Sequence, residues 1–232
     1  MTSFYSATSW QVGKKGPPPI FTSIGVRHPR CIEIDIELRE QTTSQGLFGL
    51  AEKQLRYFDA GNIVITFAQI PKVAGDHGVE SFSQHRAWYD LQERVRRCVV
   101  RLEPRGLSML AYALARLRGW RDEELIMAVL NASLKRIDDF GPTDAAKLSW
   151  TLAKLEISTS ASALWAGLSK VAAKTICSSG RFIDISMTAW AFAKAGHADA
   201  PLFAAVGRAV REQLDAFNAQ DLANTAWAFA KA

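Results

Sequence analysis

A twelve-residue pattern recurs along this 232-residue chain, and no other feature restricts its possible folds as strongly. The last copy reads DLANTAWAFAKA, over residues 221–232. With Trp227 as position zero, DISMTAWAFAKA aligns on Trp190, DAAKLSWTLAKL on Trp150 and GLSMLAYALARL on Tyr112. A fainter copy, DAGNIVITFAQI, aligns on Ile65. Successive zero positions are 47, 38, 40 and 37 residues apart, a period near 38 with one insertion. Periods of this size belong to stacked helical hairpins. The expected fold is therefore all-α, an α-solenoid of antiparallel hairpins.

The columns of the repeat read as one helix. Offset −6 holds Asp59, Gly106, Asp144, Asp184 and Asp221, residue types suited to a helix N-cap. Offsets −5, −2, +2 and +5 are apolar at helical spacing, as in Leu107, Leu110, Leu114 and Leu117. Alanine fills +3 in every copy, which lets a neighbouring helix approach closely. These tagged helices are predicted near 59–70, 106–117, 144–155, 184–195 and 221–232. Partner helices are predicted over 84–102, 122–137, 160–176 and 200–217, each with an apolar face at steps of three and four. The first interval carries its insertion in PKVAGDHGVESF, which reads as a surface loop.

Ahead of the array, residues 1–31 contain no Asp or Glu, several hydroxyl residues and a triple proline. An organelle transit peptide and an unstructured tail both fit that composition. Residues 31–39 alternate apolar and charged, a strand pattern on its own. A lone strand before a helical array has no partner, so a short helix or extended lead-in is the expectation. Residues 44–58 then form a helix, and 32–58 together lead into and cap the array. The chain reaches Ala232 at the end of a tagged helix. An unpaired terminal helix exposes an apolar face, so a fragment, or a stack continued on a partner, is expected.

Little chemistry of catalysis is present. The four histidines lack an apparent carboxylate, serine or cysteine partner in sequence, the Gly13-Lys14-Lys15-Gly16 stretch lacks phosphate-loop spacing, and the three cysteines lack metal-ligand spacing. No enzyme activity, cofactor or metal is expected, and no membrane insertion, because no apolar run is long enough. The net charge of +5 favours an anionic partner. Eight arginines between 94 and 121 face a single acid, Glu103, which is either a solvated helix face or a phosphate-binding patch.

The candidate site is a stripe at offsets −3, +1 and +4 of the tagged helices. Four of five residues at +4 are cations, Arg116, Lys154, Lys194 and Lys231, with Gln69 the fifth. Offset +1 is small throughout (Thr66, Ala113, Thr151, Ala191, Ala228), and −3 varies (Asn62, Met109, Lys147, Met187, Asn224). A repeated cation for the phosphate, a small floor and a variable neighbour for the base suit a single-stranded RNA reader. A solvated helix face is the competing account. The aromatics at position zero, flanked by small residues, are assigned to the core rather than to base stacking.

The AWAFAKA, LSWTLAKL and LAYALARL signatures on near-38-residue hairpins resemble octotricopeptide repeats and the helical arrays found ahead of RAP domains, over about residues 44–232. That resemblance implies organellar RNA binding in transcript stability, processing, translation or ribosome assembly. It implies a mitochondrial location, with the plastid as alternative. A protein-interaction scaffold, or a structural subunit of an organellar ribosome or other large complex, is the alternative function.

Overall fold

The structure is a computed structural model that describes residues 27–157, 161–197 and 199–232. Among these residues there are eleven α-helices and no strand. They are α1 (Pro29–Glu40), α2 (Ser44–Gln54), α3 (Ala60–Val73), α4 (Arg86–Cys98), α5 (Pro104–Leu114), α6 (Glu123–Leu134), α7 (Pro142–Lys154), α8 (Ser162–Ser179), α9 (Phe182–Ala195), α10 (Ala200–Gln213) and α11 (Ala219–Lys231). The helices fall into two rows. In one, α1, α3, α5, α7, α9 and α11 each pack on the next odd-numbered helix; in the other, α2, α4, α6, α8 and α10 do the same. Apolar side chains fill the space between rows, among them Leu110, Leu114, Leu148, Leu152, Ile185 and Phe192 from one side and Val129, Leu168 and Val206 from the other.

The odd row begins earlier than the repeat pattern indicated. Residues 1–26 of the proposed tail lie outside the described residues, but from Pro29 onward the chain is helical. His28 caps α1 through its side chain, which accepts from the Arg30 N–H at 3.1 Å, and Pro29 sits where a missing N–H costs nothing. The alternating isoleucines hid this helix. Cys31, Ile34 and Leu38 bury one face at steps of three and four, while Ile32 and Ile36 are left about half exposed. α1 packs on α3, so it opens the odd row and α2 opens the even row.

The structure also shifts the register of the faint copy. In α5, α7, α9 and α11 the N-cap lies nine residues before position zero, at Glu103, Gly141, Arg181 and Asn218. The N-cap of α3 is Asp59, which moves its position zero from Ile65 to Ala68. Hydrogen bonding supports the shift. Thr66 donates to the Asn62 carbonyl as Thr188 does to Asp184 and Thr225 to Asp221, and Asn62 accepts from the Asp59 N–H as Asp184 does from Arg181. Asp144, Asp184 and Asp221 are therefore not N-caps. They stand three residues into their helices, where a carboxylate still favours the positive N-terminal end.

The insertion is more ordered than a surface loop. α3 continues through Pro71 to Val73, and a 3-10 segment over Gly75–Ser81 follows. The Val79 N–H donates to the Arg118 carbonyl at 2.9 Å, and Phe82 is buried against Phe48 and Trp88.

Candidate nucleic-acid interface

The last helix reveals which side of each odd helix meets which neighbour. In α11, Asp221, Thr225 and Ala228 are buried while Ala223, Ala226 and Ala230 are exposed. The columns −6, −2 and +1 therefore face the preceding helices, and −4, −1 and +3 face a following one. In α7 and α9 both sets are buried, apart from the partly exposed Asp144, because both neighbours are present. Small residues in these columns, such as Ala146, Ser149, Ala153, Ala189 and Ala193, allow helix axes toward the short end of the usual spacing of roughly 8–10 Å.

This geometry corrects two expectations. Offset +1 is no floor of an open stripe: Ala113, Thr151, Ala191 and Ala228 are all buried between odd helices. Nor are the position-zero aromatics enclosed in the core, although Trp190 packs against it. Tyr112, Trp150 and Trp190 are only partly buried, and Trp227 is 44% exposed. The outward stripe runs through −3, 0 and +4, which also fall at steps of three and four. It consists of Met109, Tyr112 and Arg116 on α5 and just beyond its end, Lys147, Trp150 and Lys154 on α7, Met187, Trp190 and Lys194 on α9, and Asn224, Trp227 and Lys231 on α11. A column of uniformly small residues was the available signal that +1 is a packing surface.

Arg116, Lys154, Lys194 and Lys231 are exposed, and none of them forms an ion pair among the described residues. Placement near a helix C-terminus suits a cation by itself, because the last carbonyls present partial negative charge. That preference does not require every cation to point outward in one column. Each of α7 and α9 ends soon after its cation, at Glu156 and Gly196, both in the left-handed conformation; the following N–H groups return to the Leu152 and Phe192 carbonyls at 2.9 Å.

Of the variable column, Met109, Lys147, Met187 and Asn224 are partly buried on the outward stripe. Burial lowers the Lys147 pKa; Asp144 and Asp184 oppose that shift, and Arg105 and Arg181 add to it. Asn62 is not on this surface. It is fully buried, and its side-chain amide donates to the Cys31 carbonyl at 2.7 Å and to Asp35 at 2.6 Å, because α1 covers that side of α3. Gln69 is likewise buried, donating to the Arg39 carbonyl at 2.8 Å. In the shifted register the +4 residue of α3 is Lys72, an exposed cation whose Nζ donates to Gln69 at 2.6 Å.

Two ring contacts order one end of the stripe. Tyr112 and Trp150 have centroids 4.8 Å apart, and the Arg116 guanidinium lies 5.5 Å from the Tyr112 ring centroid. At the opposite ends of the helices, polar bonds join one odd helix to the next. Ser108 donates to Asp144 at 2.6 Å, Thr143 to Asp184 at 2.8 Å and Ser186 to Asp221 at 2.7 Å.

The arginine-rich stretch is divided among elements. Arg96 pairs with Asp122, Arg97 with Glu93 and Arg121 with Glu123, while Arg105 and Arg116 belong to the odd row. Among the described residues, no group of three or more His, Cys, Asp or Glu is placed to hold a metal ion, and no helix is long and apolar enough to cross a membrane. No family model matches the chain, and no curated protein matches it.

Proposed function

We propose that this is a non-catalytic RNA-binding protein, an α-solenoid of helical hairpins with a period near 38 residues, that holds single-stranded RNA along the outward stripe of its odd row. The observation that carries this reading is the set of four exposed cations without ion pairs, Arg116, Lys154, Lys194 and Lys231, on four consecutive packed helices. Their regular column gives a polyanion several phosphate contacts at a pitch of roughly 8–10 Å. Met109, Lys147, Met187 and Asn224 lie on the same stripe two helical turns before the cations, where a base edge meets side chains that differ from rung to rung. The resemblance to octotricopeptide and RAP-associated arrays supports an organellar role, in the mitochondrion first and the plastid second.

Binding of a random-sequence single-stranded RNA across a salt series tests the reading. Four phosphate contacts contribute about −2.8 to the log–log salt slope, at about 0.7 per contact on single strands. Replacing the four cations with glutamine removes most of that slope. A control with equal charge loss, Lys53, Lys135, Lys170 and Lys174 to glutamine, changes exposed lysines of the even helices or the turns beside them and retains the slope. Equal losses in both variants would reduce the binding to overall charge. No binding by the parent protein at low salt would sink the RNA reading and direct attention to a protein partner on the same stripe.

A further inference from the structure

We infer that Trp150, Trp190 and Trp227 form two slots on the odd row, each of which takes one unpaired RNA base between neighbouring indoles. The inference rests on the RNA-binding reading and specifies how the bases are held. Trp150, Trp190 and Trp227 occupy the same column on three consecutive packed helices, each partly open to solvent and each one helical turn from an exposed lysine, Lys154, Lys194 or Lys231. A side chain four residues further along lies about 6 Å along the helix axis, so a phosphate on the lysine leaves its own base within reach of the indole.

The spacing separates open pairs from the closed one. A base sandwiched between two rings needs them about 7 Å apart, twice the roughly 3.4 Å rise of stacked bases. Tyr112 and Trp150, at 4.8 Å, are already in contact and have no room for a base. Tyr112 is also covered by Arg116. The pairs Trp150–Trp190 and Trp190–Trp227 make no ring contact among the described residues, on helices whose usual spacing of roughly 8–10 Å accommodates the insertion. Large aromatic surface left partly open in one column, beside unpaired cations, matches the two requirements of a single-strand groove, a stacking platform and a charged track. Lys147, Met187 and Asn224 lie on the same stripe, three residues before the three indoles.

The test compares a short oligoadenylate with an abasic oligomer of the same length and charge, measured by fluorescence anisotropy at one salt concentration. The parent protein binds oligoadenylate at least roughly tenfold tighter, because only that ligand can stack. Trp190→Leu, which removes a wall of both slots, weakens oligoadenylate binding by roughly 5- to 150-fold and leaves the abasic oligomer unchanged. Trp190→Phe restores part of the loss. Trp227→Leu removes one wall at an exposed position without disturbing packing, and gives a smaller loss of the same kind. Tyr112→Leu has little effect on either ligand. Parent protein that binds both oligomers equally, or tryptophan variants that weaken both alike, would overturn the slots while leaving the cation column intact. Failure of the parent to bind either oligomer would overturn the slots together with the RNA reading.

Discussion

Helix α3 and helices α5 to α11 of the odd row carry the same pattern but present different surfaces. In α3, position zero is Ala68 and position −3 is the buried Ile65, so the outward stripe offers no ring and no variable side chain. Its cation, Lys72, bonds to Gln69, which in turn bonds to carbonyls at the end of α1. From α5 onward the ring, the variable residue and a cation without an ion pair occur together. The cation column thus extends over more helices than the aromatic one. A residue type shared by all rungs can serve helix termination, whereas the combination restricted to α5 to α11 is what points to a ligand.

The comparison can be broken most sharply at Asn62. Asn62→Ala removes donors to the Cys31 carbonyl and Asp35 and the acceptor for the Asp59 N–H, and costs about 3 kcal/mol in chemical denaturation. An asparagine on the outward stripe gives the contrast: Asn224→Ala, at a partly buried position of α11, shifts stability by less than about 0.5 kcal/mol. Equal costs would show that α3 and α11 do not differ as described. A second measurement concerns the packing columns. Ala191→Leu forces a larger side chain into the buried side of α9 and destabilises by about 1–3 kcal/mol. A neutral result would return offset +1 to the surface.

The smallest expected effect is at Lys147, whose column holds methionine in the two flanking helices, α5 and α9. Lys147→Met removes a charge that burial disfavours and raises stability by roughly 0.5 kcal/mol. The folded pKa lies below the unfolded 10.5, so between these values the unfolded state binds more protons and stability rises with pH. The methionine variant lacks that rise. A variant whose stability climbs as steeply at alkaline pH as the parent's would locate the effect elsewhere.

The helical class and the positions of most helices were legible because each buries a face at steps of three and four, a signal that survives without knowledge of neighbours. Two features were obscured for physical reasons. α1 has alternating isoleucines of which only Ile34 is fully buried and Ile32 and Ile36 are not, so its periodicity imitates a strand until α3 is present to select one face. The faint copy is displaced by three residues because Asp59 resembles Asp144, Asp184 and Asp221 in sequence, yet Asp59 is an N-cap and they are not. In the site, the cation column could be read directly. The exchange of positions 0 and +1 was legible only in the uniformly small +1 column, since a single alanine is compatible with either surface or interior and tryptophan is buried at 88 and 165 but exposed at 227.

The hydroxyl-to-carboxylate bonds at Asp144, Asp184 and Asp221 all lie in the N-terminal turns, whereas the four outward cations lie at the C-terminal ends. The row is thus stitched along one selvedge. Polar bonds resist separation there, while at the other edge alanine contacts, each worth only about 0.1–0.2 kcal/mol per atom pair, yield by small increments, with the Tyr112–Trp150 ring contact holding α5 to α7. The expected soft mode of such a row is fanning, in which the intervals between successive cations change most from α7 to α11 while no polar bond breaks. A strand laid along that edge would meet an adjustable ruler, compliant enough to follow phosphates whose separation changes with sugar pucker.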